Sequence, residues 1–256
     1  MKKFIHDLEI VDNKRINKDY FCLKLIGNSV LPDIKPAQFV EIKVENSPET
    51  FLRRPISVHD VDYENNTISL LIRIAGKGTE SLSKLKKGEY VNLVYPLGNY
   101  FSMPENNNIL LVGGGCGIAP LLFTAKYFYK AGFKSTVLLG FKDKESVVAE
   151  KSFEKFADVL ITTDNGTYGE CGTVMEHSVF KENPFKFKKI YSCGPEPMLK
   201  KLAEWCIKNN IDCEVSLENL MACGIGACLC CVQKNTDGNK CVCVEGPVFN
   251  VNNIIW

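Results

Sequence analysis

The segment Cys223-Gly224-Ile225-Gly226-Ala227-Cys228-Leu229-Cys230-Cys231 reads C-x4-C-x2-C, and Cys241 and Cys243 follow within the next twelve residues. This is the spacing of plant-type [2Fe–2S] clusters, whose fourth thiolate lies further along the chain. The intervening glycines suit a loop that curls round a cluster and aims backbone N–H groups at its sulfurs. The candidate ligands are Cys223, Cys228, Cys231 and either Cys241 or Cys243. A structural zinc ion also takes four thiolates, but zinc sites more often use paired C-x2-C spacing. The glycine-rich x4 gap favours iron–sulfur.

Arginine is scarce. Only Arg15, Arg53, Arg54 and Arg73 occur, and the other 27 basic residues are lysines. Two of the four lie in Phe51-Leu52-Arg53-Arg54-Pro55-Ile56-Ser57. Guanidinium forks match phosphate oxygens, and the Ser57 hydroxyl can add a neutral hydrogen bond. Leu71-Ile72-Arg73 carries a third arginine, just before a Gly76-Lys77-Gly78-Thr79 turn that opens a helix, a second place for an anion. Surface ion pairs and a simple capping turn are the plainer reading, but lysine would serve an exposed ion pair equally well. All three arginines are therefore expected in one phosphate-binding site.

A glycine loop follows: Val112-Gly113-Gly114-Gly115-Cys116-Gly117-Ile118-Ala119-Pro120 runs from an apolar strand into a helix. Glycines admit a pyrophosphate close to the backbone, and the helix start offers unpaired N–H groups and a positive dipole end. Pro120 suits a first helical turn, where no N–H is needed. Tyr191-Ser192-Cys193-Gly194-Pro195 is a second strand-to-helix junction. Cys193 stands at that strand's carboxyl end, where open α/β sheets bind ligands; a buried structural thiol is the competing reading. Lys142-Asp143-Lys144 follows the next strand, where an acid could hold ribose hydroxyls and lysines could take a 2′-phosphate.

Three kinds of segment must position these groups. Up to residue 101 the chain is a series of short β-branched and aromatic runs (Ile5–Val11, Tyr20–Leu25, Gln38–Val44, Thr67–Ile74, Tyr90–Val94), which predicts an antiparallel barrel or sandwich. One helix interrupts it, with Thr79 as the expected N-cap. From 102 to 216, strands at Ile109–Val112, Ser135–Gly140, Asp158–Thr162, Lys189–Ser192 and Asp212–Ser216 alternate with helices at Ala119–Ala131, Ser146–Phe156 and Glu196–Asn209. That alternation predicts a parallel sheet. Residues 217–256 break the rhythm and are rich in Cys and Gly.

Composition sets the bounds. The chain has 256 residues, is 45% hydrophobic and 24% charged, and carries a net charge of +1, so it is globular and has no electrostatic footprint for nucleic acid. With no signal-like or membrane-length apolar run, a cytoplasmic location is expected. In that reducing compartment twelve clustered cysteines point to metal or redox chemistry before disulfides. His6, His59 and His177 are isolated and compose no triad; His59, two residues past Ser57, could face a ligand bound there.

Arg54-Pro55-Ile56-Ser57, Gly76–Thr79, Gly113–Pro120 and Cys193-Gly194-Pro195 together resemble the ferredoxin–NADP reductase superfamily in order and spacing. The Met221–Cys228 segment and Cys243-Val244-Glu245-Gly246-Pro247-Val248-Phe249 are similar to the electron-transfer subunit of type B dihydroorotate dehydrogenase. The resemblance implies an FAD-binding barrel over 1–101, an NAD-binding α/β domain over 102–216 and a [2Fe–2S] domain over 217–256. It implies FAD contacts at Arg54, Pro55, Ile56, Ser57, Leu71, Ile72, Arg73, Gly78 and Thr79. NAD contacts are implied at Gly113, Gly114, Gly115, Gly117, Ile118, Ala119, Pro120, Cys193, Gly194 and Pro195, with Cys193 near the hydride path. It selects Cys243 as fourth cluster ligand after Cys223, Cys228 and Cys231, leaving Cys230 and Cys241 as small buried thiols. Ile56 stands where the superfamily's motif has tyrosine, so aromatic stacking on the flavin from that position is absent. The implied partner is a catalytic subunit that oxidises dihydroorotate on its own FMN, in a heterotetramer with two copies of each chain. Electrons would cross the cluster to FAD and reduce NAD+, in pyrimidine biosynthesis. Two other readings of the residues are a reductase subunit of another complex (glutamate synthase-like, sulfide dehydrogenase or hydrogenase) and a zinc-binding interaction module.

Overall fold

The computed structural model describes residues 2–45, 47–182 and 186–256. Strands β1 (Phe4–Arg15), β2 (Tyr20–Ile26), β3 (Phe39–Ile42), β4 (Arg54–Ser57), β5 (Asp60–Asp62), β6 (Thr67–Arg73) and β7 (Tyr90–Leu97) form an antiparallel sheet in the order β4-β3-β7-β1-β2-β6-β5. One continuous stretch supplies both edges: β4 pairs with β3, and β5, three residues later, pairs with β6. Val58 N–H donates to Gln38 O at 3.0 Å and His59 N–H to Ser69 O at 2.9 Å, so that stretch draws the two ends of the sheet together. The inward residues, among them Leu8, Leu23, Leu25, Val40, Ile68, Leu70 and Leu93, are almost wholly buried and fill the barrel. Their period of two puts polar partners outside.

Helix α1 (Lys77–Ser83) starts three residues earlier than expected, with Gly76 as N-cap. Thr79 is at the third helical position and reaches back instead: its Oγ1 accepts from Ala75 N–H at 2.9 Å and Gly76 N–H at 3.3 Å. Its hydroxyl thus fixes the turn, as the acidic partner of a capping box does.

The second sheet contains β8 (Ile109–Gly114), β9 (Ser135–Phe141), β10 (Ala157–Thr163), β11 (Glu170–Cys171), β12 (Lys189–Cys193) and β13 (Asp212–Ser216), with parallel pairing in the order β11-β10-β9-β8-β12-β13. Ile109, Leu110, Leu111 and Val112 are all completely buried, as a strand covered on both faces requires. Helix α2 (Ala119–Lys130) covers one face with Leu121, Ala125 and Phe128, and α5 (Glu196–Lys208) the other with Leu199, Leu202 and Ala203; α3 (Glu150–Phe153) and α4 (Val179–Glu182) are single turns. The helix expected over Ser146–Phe156 is thus reduced to α3. Val147 is extended, Val148 is buried and Ala149 has φ +64°, so the chain dips into the core before it can coil.

The tail does not stand apart. After a hairpin of β14 (Val232–Asn235) and β15 (Gly238–Cys241), strand β16 (Val248–Asn250) returns antiparallel to β13 and becomes an edge of the second sheet. Asn99 ties the same tail to the end of the barrel: its side-chain NH2 donates to Glu245 O at 2.7 Å and to Val248 O at 2.8 Å. Phe123 of α2 enters the barrel core, and Lys126 pairs with Asp60 at 2.6 Å, so α2 fastens the sheet to the barrel. Among the described residues no helix is long and apolar enough to cross a membrane.

Candidate functional site

A cleft of about 310 Å3 opens where the barrel, the parallel sheet and the tail meet. Arg54, Pro55, Ile56 and Ser57 of β4 and Leu71, Ile72 and Arg73 at the end of β6 form one wall, with Thr79 at its rim. Gly78 does not reach the cleft; it is buried behind Arg54, where an added Cβ would lie 3.2 Å from Arg54 Nε. Arg53 departs from the expected trio. Its Nη1 donates to Asn92 O at 3.0 Å and to Glu41 O at 3.2 Å, and its Nη2 donates to Asn92 Oδ1. Held there, Arg53 is kept off the cleft that Arg54 lines. His59 is also turned away: it is buried, and its Nδ1 lies 2.8 Å from Ala119 O, bracing barrel against α2.

The opposite wall comes from the parallel sheet and the tail: Cys116, Ala119, Ser216, Glu218, Met221 and Pro247. Glu218 is a residue that the sequence reading missed. It faces the cleft and takes both nearby thiols, with Cys193 Sγ donating to Oε1 and Cys116 Sγ to Oε2, each at 3.8 Å. Desolvation pushes the Glu218 carboxyl above the ordinary range despite these two hydrogen bonds. Burial likewise pushes the Cys193 thiol well up, so it is held as a neutral donor. The available signal was positional: Glu218 lies two residues past the carboxyl end of β13, where ligands collect in such sheets.

A second cleft, of about 370 Å3, lies over the glycine loop. Gly114, Gly115 and Pro195 line it, together with Gly140, Lys142, Asp164, Met198 and Lys201. Gly113, Gly117, Ile118, Pro120, Cys193 and Gly194 do not line it and are buried, and Ala119 faces the first cleft. Gly117 is required by close approach: an added Cβ would lie 2.3 Å from both Cys193 C and Cys193 O, where the two strand-to-helix junctions touch. Asp143 does not face this cleft. Its carboxylate accepts from Ser146 N–H at 2.9 Å, capping a turn, whereas Lys142 and Lys201 bring positive charge to the lining.

The cysteine loop is folded around its own sulfurs. Ala227 N–H donates to Cys223 Sγ at 3.3 Å, Cys228 N–H to the same sulfur at 3.4 Å, Gly226 N–H to Cys243 Sγ at 3.2 Å and Cys243 N–H to Cys231 Sγ at 3.4 Å. Backbone N–H to sulfur contacts thus link Cys228 to Cys223 and Cys243 to Cys231. That donor set fits a two-iron centre, which needs two thiolates at each iron, with N–H groups already aimed at sulfur. A single tetrahedral ion instead needs four ligands that converge on one point. Burial raises the Cys223 thiol, but N–H groups of Ile225, Cys228 and Ala227 and the Cys228 side chain outweigh it and bring it to about 6. Cys243 is buried and pushed up to about 12 by desolvation and by Cys231. Cys241 is engaged differently: its N–H donates to Glu245 Oε2 at 2.6 Å and its carbonyl accepts from Val244 N–H at 2.9 Å. The expectation that Cys230 and Cys241 are buried thiols fails: Cys230 is exposed and Cys241 half-buried, because the loop turns outward between its inward-facing cysteines.

A barrel and a parallel sheet meeting at a cleft lined by arginines define a ferredoxin-reductase-like chain. The same fold occurs in the ferredoxin reductase of carbazole 1,9a-dioxygenase (TM-score 0.71, 19% identity, 82% of this chain and 67% of that one). A solved NADH-dependent reduced ferredoxin-NADP oxidoreductase is more similar, with TM-score 0.88 and 30% identity over 97% of this chain and 90% of that one. Residues 218–255 match the iron-sulfur cluster binding domain of dihydroorotate dehydrogenase B. The dihydroorotate dehydrogenase B (NAD(+)) electron transfer subunit of Fusobacterium nucleatum is 39% identical over 98% of both chains. That of Caldanaerobacter subterraneus is 40% identical over 96% of this chain and 97% of the relative. The chain belongs to the family of dihydroorotate dehydrogenase B electron transfer subunits.

Proposed function

We propose that the chain joins a dihydroorotate-oxidising catalytic subunit to NAD+, with FAD in the first cleft, the nicotinamide nucleotide in the second and a [2Fe–2S] cluster on Cys223, Cys228, Cys231 and Cys243. The observation that carries this reading is the shared cleft: Arg54 and Arg73 of the barrel, Cys116 of the glycine loop and Met221, two residues before Cys223, all line it. A group bound there lies between the nucleotide loop and the cysteine loop. The three functional segments are taken as 1–101, 102–216 and 217–256, with the last segment's β16 completing the sheet of the second.

FAD, when bound, exchanges a hydride with nicotinamide and single electrons with the cluster, which is the conversion such a chain has to supply. The protein's part is placement and charge. Arg54 and Arg73 would pair with the flavin nucleotide's phosphates and Ser57 would add a hydroxyl. Ile56, without an aromatic ring, leaves a flat apolar wall. Lys142, Lys201 and the N–H groups of Gly114 and Gly115 would hold the nicotinamide nucleotide's phosphates. Glu218, bonded by the Cys116 and Cys193 thiols, holds its carboxyl on the cleft wall, where desolvation raises it above the ordinary range.

The catalytic partner is taken to carry FMN and to assemble as a heterotetramer with two copies of each chain. Leu220, Ile225, Leu229 and Val244 are exposed around the cysteine loop, an apolar rim suited to a subunit covering the cluster. A cytoplasmic location accords with twelve cysteines that are all unbridged. Co-expression with a dihydroorotate dehydrogenase catalytic subunit, followed by an assay of dihydroorotate-dependent NAD+ reduction, tests the reading. A coloured complex that reduces NAD+ is the expected result. A colourless chain with stoichiometric zinc would overturn it.

A further inference from the structure

Glu41 is the least expected side chain in the barrel. It lies on β3, is 1% exposed, and neither carboxylate oxygen has a hydrogen-bond partner. A buried carboxylate in that state is costly to keep. Its neighbours show what it can act on. Register places it opposite Pro55, with Arg54 opposite the next residue, Ile42. Arg53 touches only its backbone oxygen, the rest of that guanidinium being held by Asn92. On the other side is the cysteine loop. Gly224 has φ +66°, and an added Cβ would lie 2.6 Å from Glu41 Cγ and 3.0 Å from Glu41 Oε1. The carboxyl therefore rests directly on the loop backbone, one residue from Cys223.

We propose that Glu41 is a buried charge that holds down the reduction potential of the cluster carried by this loop, and so tilts electrons from the cluster toward the flavin. The inference rests on the cluster assignment given above. A negative charge close to a centre that gains an electron disfavours the reduced form, and low-dielectric surroundings screen it poorly. The glycine at 224 is what lets the charge approach so closely, because any side chain there would displace it.

The test is a potentiometric titration of the full chain, with cluster and FAD, followed by the EPR signal of the reduced cluster and repeated from about pH 6 to about pH 9.5. Glu41→Gln keeps the volume and removes the charge. It is expected to favour the reduced cluster on the order of tenfold, an upward shift of about 59 mV for one electron. Glu41→Asp is expected to stay near wild type, and exposed Glu49→Gln to leave the potential unchanged. Glu41→Leu serves as a second neutral variant if glutamine disturbs the loop. An unchanged potential in a neutral variant that retains its cluster overturns the proposal, and so does loss of the cluster from both neutral variants, since a tuning charge is dispensable for assembly. Wild-type chain that takes up no cluster at all would instead overturn the proposed function.

Discussion

Replacing Glu41 by glutamine should also change how stability depends on pH. The wild-type carboxyl is raised from 4.5 to about 7, chiefly by desolvation, with Cys223 adding to the rise and Arg53 and Arg54 opposing it. The direction follows from proton binding. Below about pH 4.5 the group is protonated in folded and unfolded chains alike, and its contribution to stability is fully present. As pH rises toward 7 the unfolded chain ionises first, so the folded state loses ground until its own carboxyl ionises. The complete loss amounts to roughly 3 kcal/mol, at about 1.4 kcal/mol for each tenfold change in proton affinity. The assay is urea unfolding of wild type and Glu41→Gln, both with the same cofactor content, at about pH 5 and about pH 8.5. Other carboxylates titrate equally in both proteins, so the difference between them isolates this group. Glu41→Gln should gain roughly 2–3 kcal/mol on wild type between the two pH values. A difference that does not change with pH would refute the reasoning, and would mean that the carboxyl finds a partner or water in solution.

Arg54→Ala should weaken FAD binding by about 1.5–3 kcal/mol, roughly 10- to 150-fold, while exposed Lys87→Ala leaves it unchanged; flavin retained on gel filtration reads this out, and equal retention would remove Arg54 from the phosphate site. Cys243→Ser should abolish the visible iron–sulfur bands and Cys241→Ser should keep them; the reverse result would exchange the two ligand assignments. Gly117→Ala should destabilise the chain by about 3 kcal/mol or more, because the added methyl meets the Cys193 backbone and not a flexible side-chain end; thermal unfolding checks it, and a neutral effect would show that the two strand-to-helix junctions can separate freely. Lys142→Ala combined with Lys201→Ala should raise the KM for the nicotinamide nucleotide at little cost to flavin content, as measured by steady-state kinetics and absorbance.

Much of this molecule is legible in one dimension. The strand runs of the barrel, the alternation that makes a parallel sheet and the C-x4-C-x2-C loop are local patterns, set by backbone period and by thiolate spacing. Motifs whose residues act through the backbone, such as the glycine loop, are local for the same reason. What the sequence could not carry is direction and partnership. Arg53 and Arg54 are adjacent letters, but the Glu41 backbone of β3 and Asn92 of β7 hold the first, and only the second meets the cleft. Asp143 looks like a ribose ligand until its carboxylate is found capping a turn, while Lys142 faces the cleft. Glu218 and Glu41 carry no motif at all. Each matters because residues far along the chain, Cys116 and Cys193 for the first and Gly224 for the second, are brought against it when the tail folds back onto barrel and sheet. Local spacing determines which groups this protein has to work with; burial and long-range contact, which exist only once the chain has closed on itself, determine their charge and what they face.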